Sequence, residues 1–148
     1  MSLKSQLLED IKKAMRAGDK ARLGTLRMAS AAVKQREVDE RIDADDAVVL
    51  AVIEKMIKQR RESAAQYRAG NRPDLAEAEE AEIALLEPYL PEPLSTAEIN
   101  KLIDQAIAAT DADGMQAMGQ VMGRLKPQLQ GRADMREVSA LVRARLAG

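Results

Sequence analysis

The chain of 148 residues has no histidine, no cysteine, no tryptophan and no phenylalanine. Each absence closes a class of chemistry. Without histidine, the side chain that ordinarily titrates near neutral pH is missing, and with it the commonest metal ligand and every Ser-His or Cys-His nucleophile pairing. Without cysteine, disulfides, thiolate nucleophiles and sulfur-ligated metals are excluded together, which agrees with a reducing compartment. The aromatic content is 1%, from Tyr67 and Tyr89 alone. Strands therefore lack their favoured side chains, and the stacking platforms that single-stranded RNA readers use are absent. The eight glycines show neither the Walker nor the dinucleotide spacing. Long apolar runs are missing too. Met1 to Lys20 alternates charge and apolarity, which reads as neither a signal peptide nor a membrane span, so the expected location is cytoplasmic with no membrane partner.

What remains is 46% apolar, almost all Leu, Ile, Val, Met and Ala, the residue set that builds helical cores. Net charge is -1, but its layout is uneven. Residues 1–73 carry sixteen Lys/Arg against eleven Asp/Glu, residues 74–92 carry seven acids and no base, and from Gly119 onward six Lys/Arg face two acids. Local charge thus says more about partners than the total does.

Helical periodicity recurs throughout. Leu3, Leu7, Leu8, Ile11 and Met15 share a face, and Gly18-Asp19 supplies a stop followed by a new N-cap. A second helix runs from Lys20 to about Val38. A third, from about Asp45 to Ala69, turns Val49, Val52, Ile53, Met56 and Ile57 inward. Asn71 is expected to cap a fourth helix with Pro73 in its first turn. Pro88, Pro91 and Pro93 then interrupt the pattern. Ser95-Thr96-Ala97-Glu98 is a capping box that opens a helix broken at Thr110 to Gly114, and two more helices fit about Met115–Leu125 and Asp134–Leu146, the last with Val138, Leu141 and Val142 inward. The expectation is an all-α protein: an N-terminal four-helix region (1–87), a Pro-rich linker (88–94) and a C-terminal three-helix bundle (95–148).

Two carboxylate groups invite a metal or acid/base reading. Glu77, Glu79, Glu80 and Glu82 spread over more than one helix face, as a solvated surface does. Asp43, Asp45 and Asp46 lack the glycine and distal glutamate of a calcium loop and read as caps. No metal and no cofactor are expected.

The segment Met118-Gly119-Gln120-Val121-Met122-Gly123-Arg124-Leu125-Lys126-Pro127 places two glycines four apart in a helical pattern, at about 1 kcal/mol each relative to alanine. A glycine pair on one face admits another backbone at close range, either a neighbouring helix or a sugar-phosphate chain. Pro127 to Ala133 then forms a loop around Gly131, and Arg124, Lys126, Arg132, Arg136, Arg143 and Arg145 surround the region with charge suited to phosphates. Lys58, Arg60 and Arg61, with Lys55, form a second basic surface, for which ion pairs with Glu54 and Glu62 on the same helix are the competing explanation.

The run Met118-Gly-Gln-Val-Met-Gly, then Pro127 and Gly131-Arg-Ala-Asp134, resembles the signature of the YqeY domain, which also forms the tail of the GatB amidotransferase subunit. Leu26-Arg-Met28, Lys58-Gln-Arg-Arg-Glu-Ser63, Tyr67-Arg-Ala-Gly-Asn-Arg-Pro-Asp-Leu75 and Tyr89-Leu-Pro91 extend the likeness to stand-alone YqeY proteins over essentially the whole chain. The resemblance implies association with tRNA, and the residues expected to carry it here are Gly119, Gly123, Arg124, Lys126, Gly131, Arg132, Arg136 and Arg143. It implies no catalytic residue. A label of carbon-nitrogen ligase with glutamine as amido donor would come from the larger enzyme by name. The chain departs from the family pattern where Gln120, Gln128 and Gln130 replace frequent lysines, where Met135 replaces a common glycine, and where Arg124 and Lys126 add charge. The alternative function is that of a protein-interaction or auxiliary subunit of a glutamine-dependent amidotransferase, using the acidic helix 74–86 and the apolar positions flanking the proline-rich linker. An aminoacyl-tRNA synthetase or an amidotransferase would then be the protein partner.

Overall fold

The computed structural model describes residues 1–111 and 113–147. Among them are α-helices and short 3-10 turns and no strand, so the protein is all-α. The chain divides into two compact units, Met1–Leu90 and Pro91–Gly148.

The N-terminal unit holds α1 (Leu3–Ala17), α2 (Lys20–Glu40), α3 (Asp46–Ala69) and α4 (Pro73–Leu86), the last extended by a 3-10 turn, Glu87–Tyr89. Local chemistry sets most of the boundaries. Gly18 takes a left-handed conformation (φ 68°) and its N–H closes α1 on Ala14 and Met15, a conformation that costs a residue with a Cβ about 1–2 kcal/mol. Asp19 then accepts the Arg22 N–H (3.1 Å) and Asp45 that of Val48 (3.0 Å), each satisfying an orphan donor of the helix that follows. Along α3, Val49 and Ile53 are fully buried and Ile57 nearly so, packing among Leu7, Leu26 and Leu86 from the other three helices.

Three expectations are corrected here. Leu8 and Met15 are exposed, and Ala14 is buried in their place. At about 100° per residue they sit on the rim of the stripe centred on Leu7, and Met15 meets α2 through the Arg27 guanidinium at its sulfur (3.6 Å). Asn71 does not cap α4: it adopts φ 58° as the left-handed end of α3, and Arg72 holds the N-cap position without a side-chain cap bond. Asparagine tolerates that conformation better than most residues, and it cannot serve both ends at once. Of the three aspartates expected as caps, only Asp45 caps α3. Asp46 accepts the Leu3 N–H at the start of α1 (2.9 Å), and Asp43 binds Lys4 (2.7 Å).

Lys4 also binds Glu37 (2.6 Å), whose Oε2 accepts the Ala44 N–H as well (2.9 Å). This clasp fastens the first turn of α1 to the loop between α2 and α3. Farther along, the Tyr89 hydroxyl donates to Asp10 of α1, and burial, followed by that bond, pushes the phenol's pKa up. Tyr89 and Leu90 pack on the N-terminal core, so the first three of the seven residues expected as linker (88–90) belong to the first unit.

The C-terminal unit holds α5 (Thr96–Ala108), a 3-10 turn (Gly114–Ala117), α6 (Met118–Leu129) and α7 (Met135–Ala147). Ser95 caps α5 through the Glu98 N–H (3.1 Å). Ile103, Val121, Leu125, Leu129 and Val142 are fully buried, Val138 nearly so, and Leu94 joins their core from the proline-rich stretch. Leu141, expected inward, is 37% exposed. The expected break at Thr110 to Gly114 includes Ala112, which lies outside the described residues, as does Gly148.

α6 runs to Leu129 and so contains Pro127, where a loop was expected. Proline removes one helical N–H and its ring presses on the carbonyl four residues earlier, that of Gly123. Both positions are exposed, so water can take the freed carbonyl, while burial of Leu125 and Leu129 keeps the last turn wound.

The Lys4 clasp gives stability a sign on the acid side. The hydrogen bond from Lys4 holds both Glu37 and Asp43 below their ordinary values of 4.5 and 3.8. Their contribution is present above those values and lost as pH falls through the depressed folded ones. Lys4→Met is expected to lower the urea midpoint near neutral pH and to flatten its decline on acidification below pH 4.5. Parallel declines in the two proteins would show that the clasp does not govern the acid limb.

Candidate nucleic-acid interface

α6 carries most of the expected site. With Val121, Leu125 and Leu129 facing the core, Gly119, Gly123 and Pro127 fall on the opposite, solvent face at i, i+4 and i+8. A Cβ built at Gly119 or Gly123 meets nothing within 4 Å. The glycine pair therefore serves no close helix crossing inside this unit, which was one of its two expected uses. Exposed Lys126 lies to one side of the glycine row and exposed Arg124 to the other. Gln128 donates to the Arg124 carbonyl (3.3 Å), so it braces the helix end.

Past α6, Gly131 takes φ 76° and turns the chain toward α7. Arg132 is tethered there: its backbone carbonyl accepts the Leu94 N–H (2.9 Å) and its Nε donates to the Glu92 carbonyl (3.4 Å). That pair of bonds pins the start of the unit to the loop between α6 and α7. Asp134 accepts the backbone N–H of Arg136 (2.9 Å) and so caps α7. Arg136 and Arg143, two turns apart, share one exposed face of α7. Arg145, by contrast, binds Asp104 and Asn100 of α5.

The second basic surface is engaged by α4. Arg60 binds Glu82 (2.7 Å) and the Met56 carbonyl (3.2 Å), Arg61 binds Glu87 (3.3 Å), and Arg68 binds Glu80 through both ends of its guanidinium (2.9 Å each). Lys58 is exposed. Periodicity along α3 could not reveal these pairs, because the partners lie twelve to twenty-six positions away.

Sequence reasoning also missed a shallow pocket in the first unit, lined by Leu3, Gln6, Asp10, Arg22, Leu85 and Tyr89, of about 280 Å³. Among the described residues no three carboxylates gather as a metal site would require.

The profile of the family described as Yqey-like protein matches residues 4–146. The chain belongs to the YqeY family. Its relatives include Altered inheritance of mitochondria protein 41, mitochondrial, of Pyrenophora tritici-repentis, 31% identical over 130 residues, or 86% of this chain and 71% of that protein. The protein of the same name in Kluyveromyces lactis is 40% identical over 84 residues, 56% of this chain and 45% of that one. A glutamyl-tRNA(Gln) amidotransferase subunit of Thermococcus gammatolerans is 46% identical over 57 residues, 36% of this chain but 9% of that much longer protein. This YqeY chain thus spans under half of the second relative and a small piece of the third.

The two glycine environments predict opposite responses in urea melts followed by far-UV circular dichroism. Gly123→Ala, with open space around it, is expected to stabilise by about 0.5–1 kcal/mol. Gly131→Ala is expected to destabilise by about 1–2 kcal/mol, because its backbone is left-handed. A destabilising Gly123→Ala would mean that the outward face of α6 is packed in solution.

Proposed function

We propose that this YqeY protein is a tRNA-associated module whose C-terminal unit contacts the RNA backbone. The observation that carries the reading is the outward face of α6, where a glycine row with open space above it is flanked by exposed Arg124 and Lys126. Such a face lets a sugar-phosphate strand approach the helix backbone while cations meet its phosphates, an arrangement that reads shape and charge more than sequence. The relative named as an amidotransferase subunit acting on glutamyl-tRNA(Gln) supports tRNA as the nucleic acid. In this reading the chain supplies binding, and any carbon-nitrogen ligase chemistry belongs to a larger enzyme.

The alternative, an auxiliary subunit that docks on an amidotransferase or an aminoacyl-tRNA synthetase through its acidic helix, is less well supported. Asp74, Glu80, Glu82 and Glu87 are already engaged by arginines of the same unit. A reducing compartment suits a chain without cysteine, and among the described residues no helix is long and apolar enough to cross a membrane. The cytoplasm meets that requirement; the names of the fungal relatives assign those proteins to mitochondria.

The test is a fluorescence-anisotropy titration with bulk tRNA over a salt series, with duplex DNA as control. Arg124→Glu combined with Lys126→Glu is expected to weaken tRNA binding about tenfold or more at low salt and to reduce the salt slope by roughly 1–2. Arg132 is left intact because its tether would confound binding with folding. Equal affinity in the double variant, with unchanged helical content, would remove α6 from the interface.

A further inference from the structure

α3 carries five basic residues, Lys55, Lys58, Arg60, Arg61 and Arg68, all in its C-terminal two-thirds. Lys58, Arg61 and Arg68 fall along one stripe over roughly 15 Å of helix, a spacing able to follow several phosphates of a nucleic-acid strand. α4 and its 3-10 extension carry six acids, Asp74, Glu77, Glu79, Glu80, Glu82 and Glu87, and no base. Three of these meet α3 arginines one to one: Glu80 with Arg68, Glu82 with Arg60 and Glu87 with Arg61.

The three pairs are not equivalent. The Arg60 side chain is 13% exposed and is further held by the Met56 carbonyl, so its pair belongs to the packing. Arg61 and Arg68 are 65% and 49% exposed, and their glutamates 52% and 46%. Exposed pairs of this kind add little stability, with a median of about 0–1 kcal/mol. What they change strongly is the local potential. A guanidinium that already faces a carboxylate releases few counterions when a phosphate approaches.

We infer that Glu80 and Glu87 are specificity residues: they make α4 a built-in polyanion that neutralises the basic stripe of α3 and keeps the N-terminal unit off nucleic acid. α4 is held to its neighbours by buried Ala76, Ile83 and Leu86, so the mask is a fixed part of the fold and not a flap. Any affinity of the whole chain for RNA is thereby confined to other surfaces. The inference does not depend on α6 being the RNA contact.

The experiment uses the full chain carrying Arg124→Glu and Lys126→Glu, so that α6 contributes nothing to the signal. A labelled duplex DNA, which reports charge without shape preference, is titrated at low salt and across a salt series. Adding Glu80→Gln with Glu87→Gln is expected to tighten binding about tenfold and to steepen the salt slope by roughly 1–2, as two arginines become available to phosphates. Glu77→Gln with Glu79→Gln makes the same change in net charge on the same helix without releasing those arginines, and is expected to leave binding within about twofold. Equal gains in the two variants, or none in either, would overturn the proposal. Glu87→Gln alone, at an exposed turn, serves if the pair perturbs folding. Its smaller gain must vanish when Arg61→Gln is added, and a gain that persists would likewise reject the mask.

Discussion

A core without phenylalanine or tryptophan has to be assembled from aliphatic side chains, each worth about 1.5–3 kcal/mol when fully buried. That constraint shapes both units. In the first it calls for one long helix able to present many such residues to several neighbours, and α3 does this with Val49, Ile53 and Ile57 facing inward. In the second, where the chain is short, nearly every inward position is committed: Val121, Leu125 and Leu129 on α6, Val138 and Val142 on α7 and Ile103 on α5 are all almost inaccessible. Outside these cores the surfaces differ between the units: arginine–glutamate pairs join α3 to α4 and its 3-10 extension in the first, and an open glycine row marks α6 in the second.

Helix boundaries were legible wherever the signal is local. Gly18, Asp19, Asp45, Ser95 and Asp134 act within three or four residues of themselves, and their roles follow from capping chemistry alone. Where a residue's partner is remote, the sequence is silent. Nothing near Lys4 announces Glu37 or Asp43, and nothing near Arg132 announces Glu92. Asn71 and Pro127 show a subtler failure. Each is a strong local signal, but two local rules compete at the same place, and tertiary packing decides which one wins.

The candidate site was legible as a family pattern and a glycine spacing, but not as geometry. The open space at Gly119 and Gly123 separates two explanations that the spacing leaves equal, since a helix crossing would fill it. The basic stretch of α3 shows the reverse lesson. A charge run read along one helix looked like a surface or a set of pairs within that helix; that three of its arginines meet glutamates beyond that helix could not be read from the run.

Both tyrosines lie in the first unit, and Tyr89 is the residue whose hydroxyl closes α4's extension onto α1. With no tryptophan anywhere, every near-ultraviolet signal of this protein comes from that unit. An unfolding curve followed by tyrosine fluorescence therefore describes residues 1–90 alone, while far-ultraviolet circular dichroism sums over both units. The gap between the two curves is a label-free measure of whether the halves of the molecule melt together or apart.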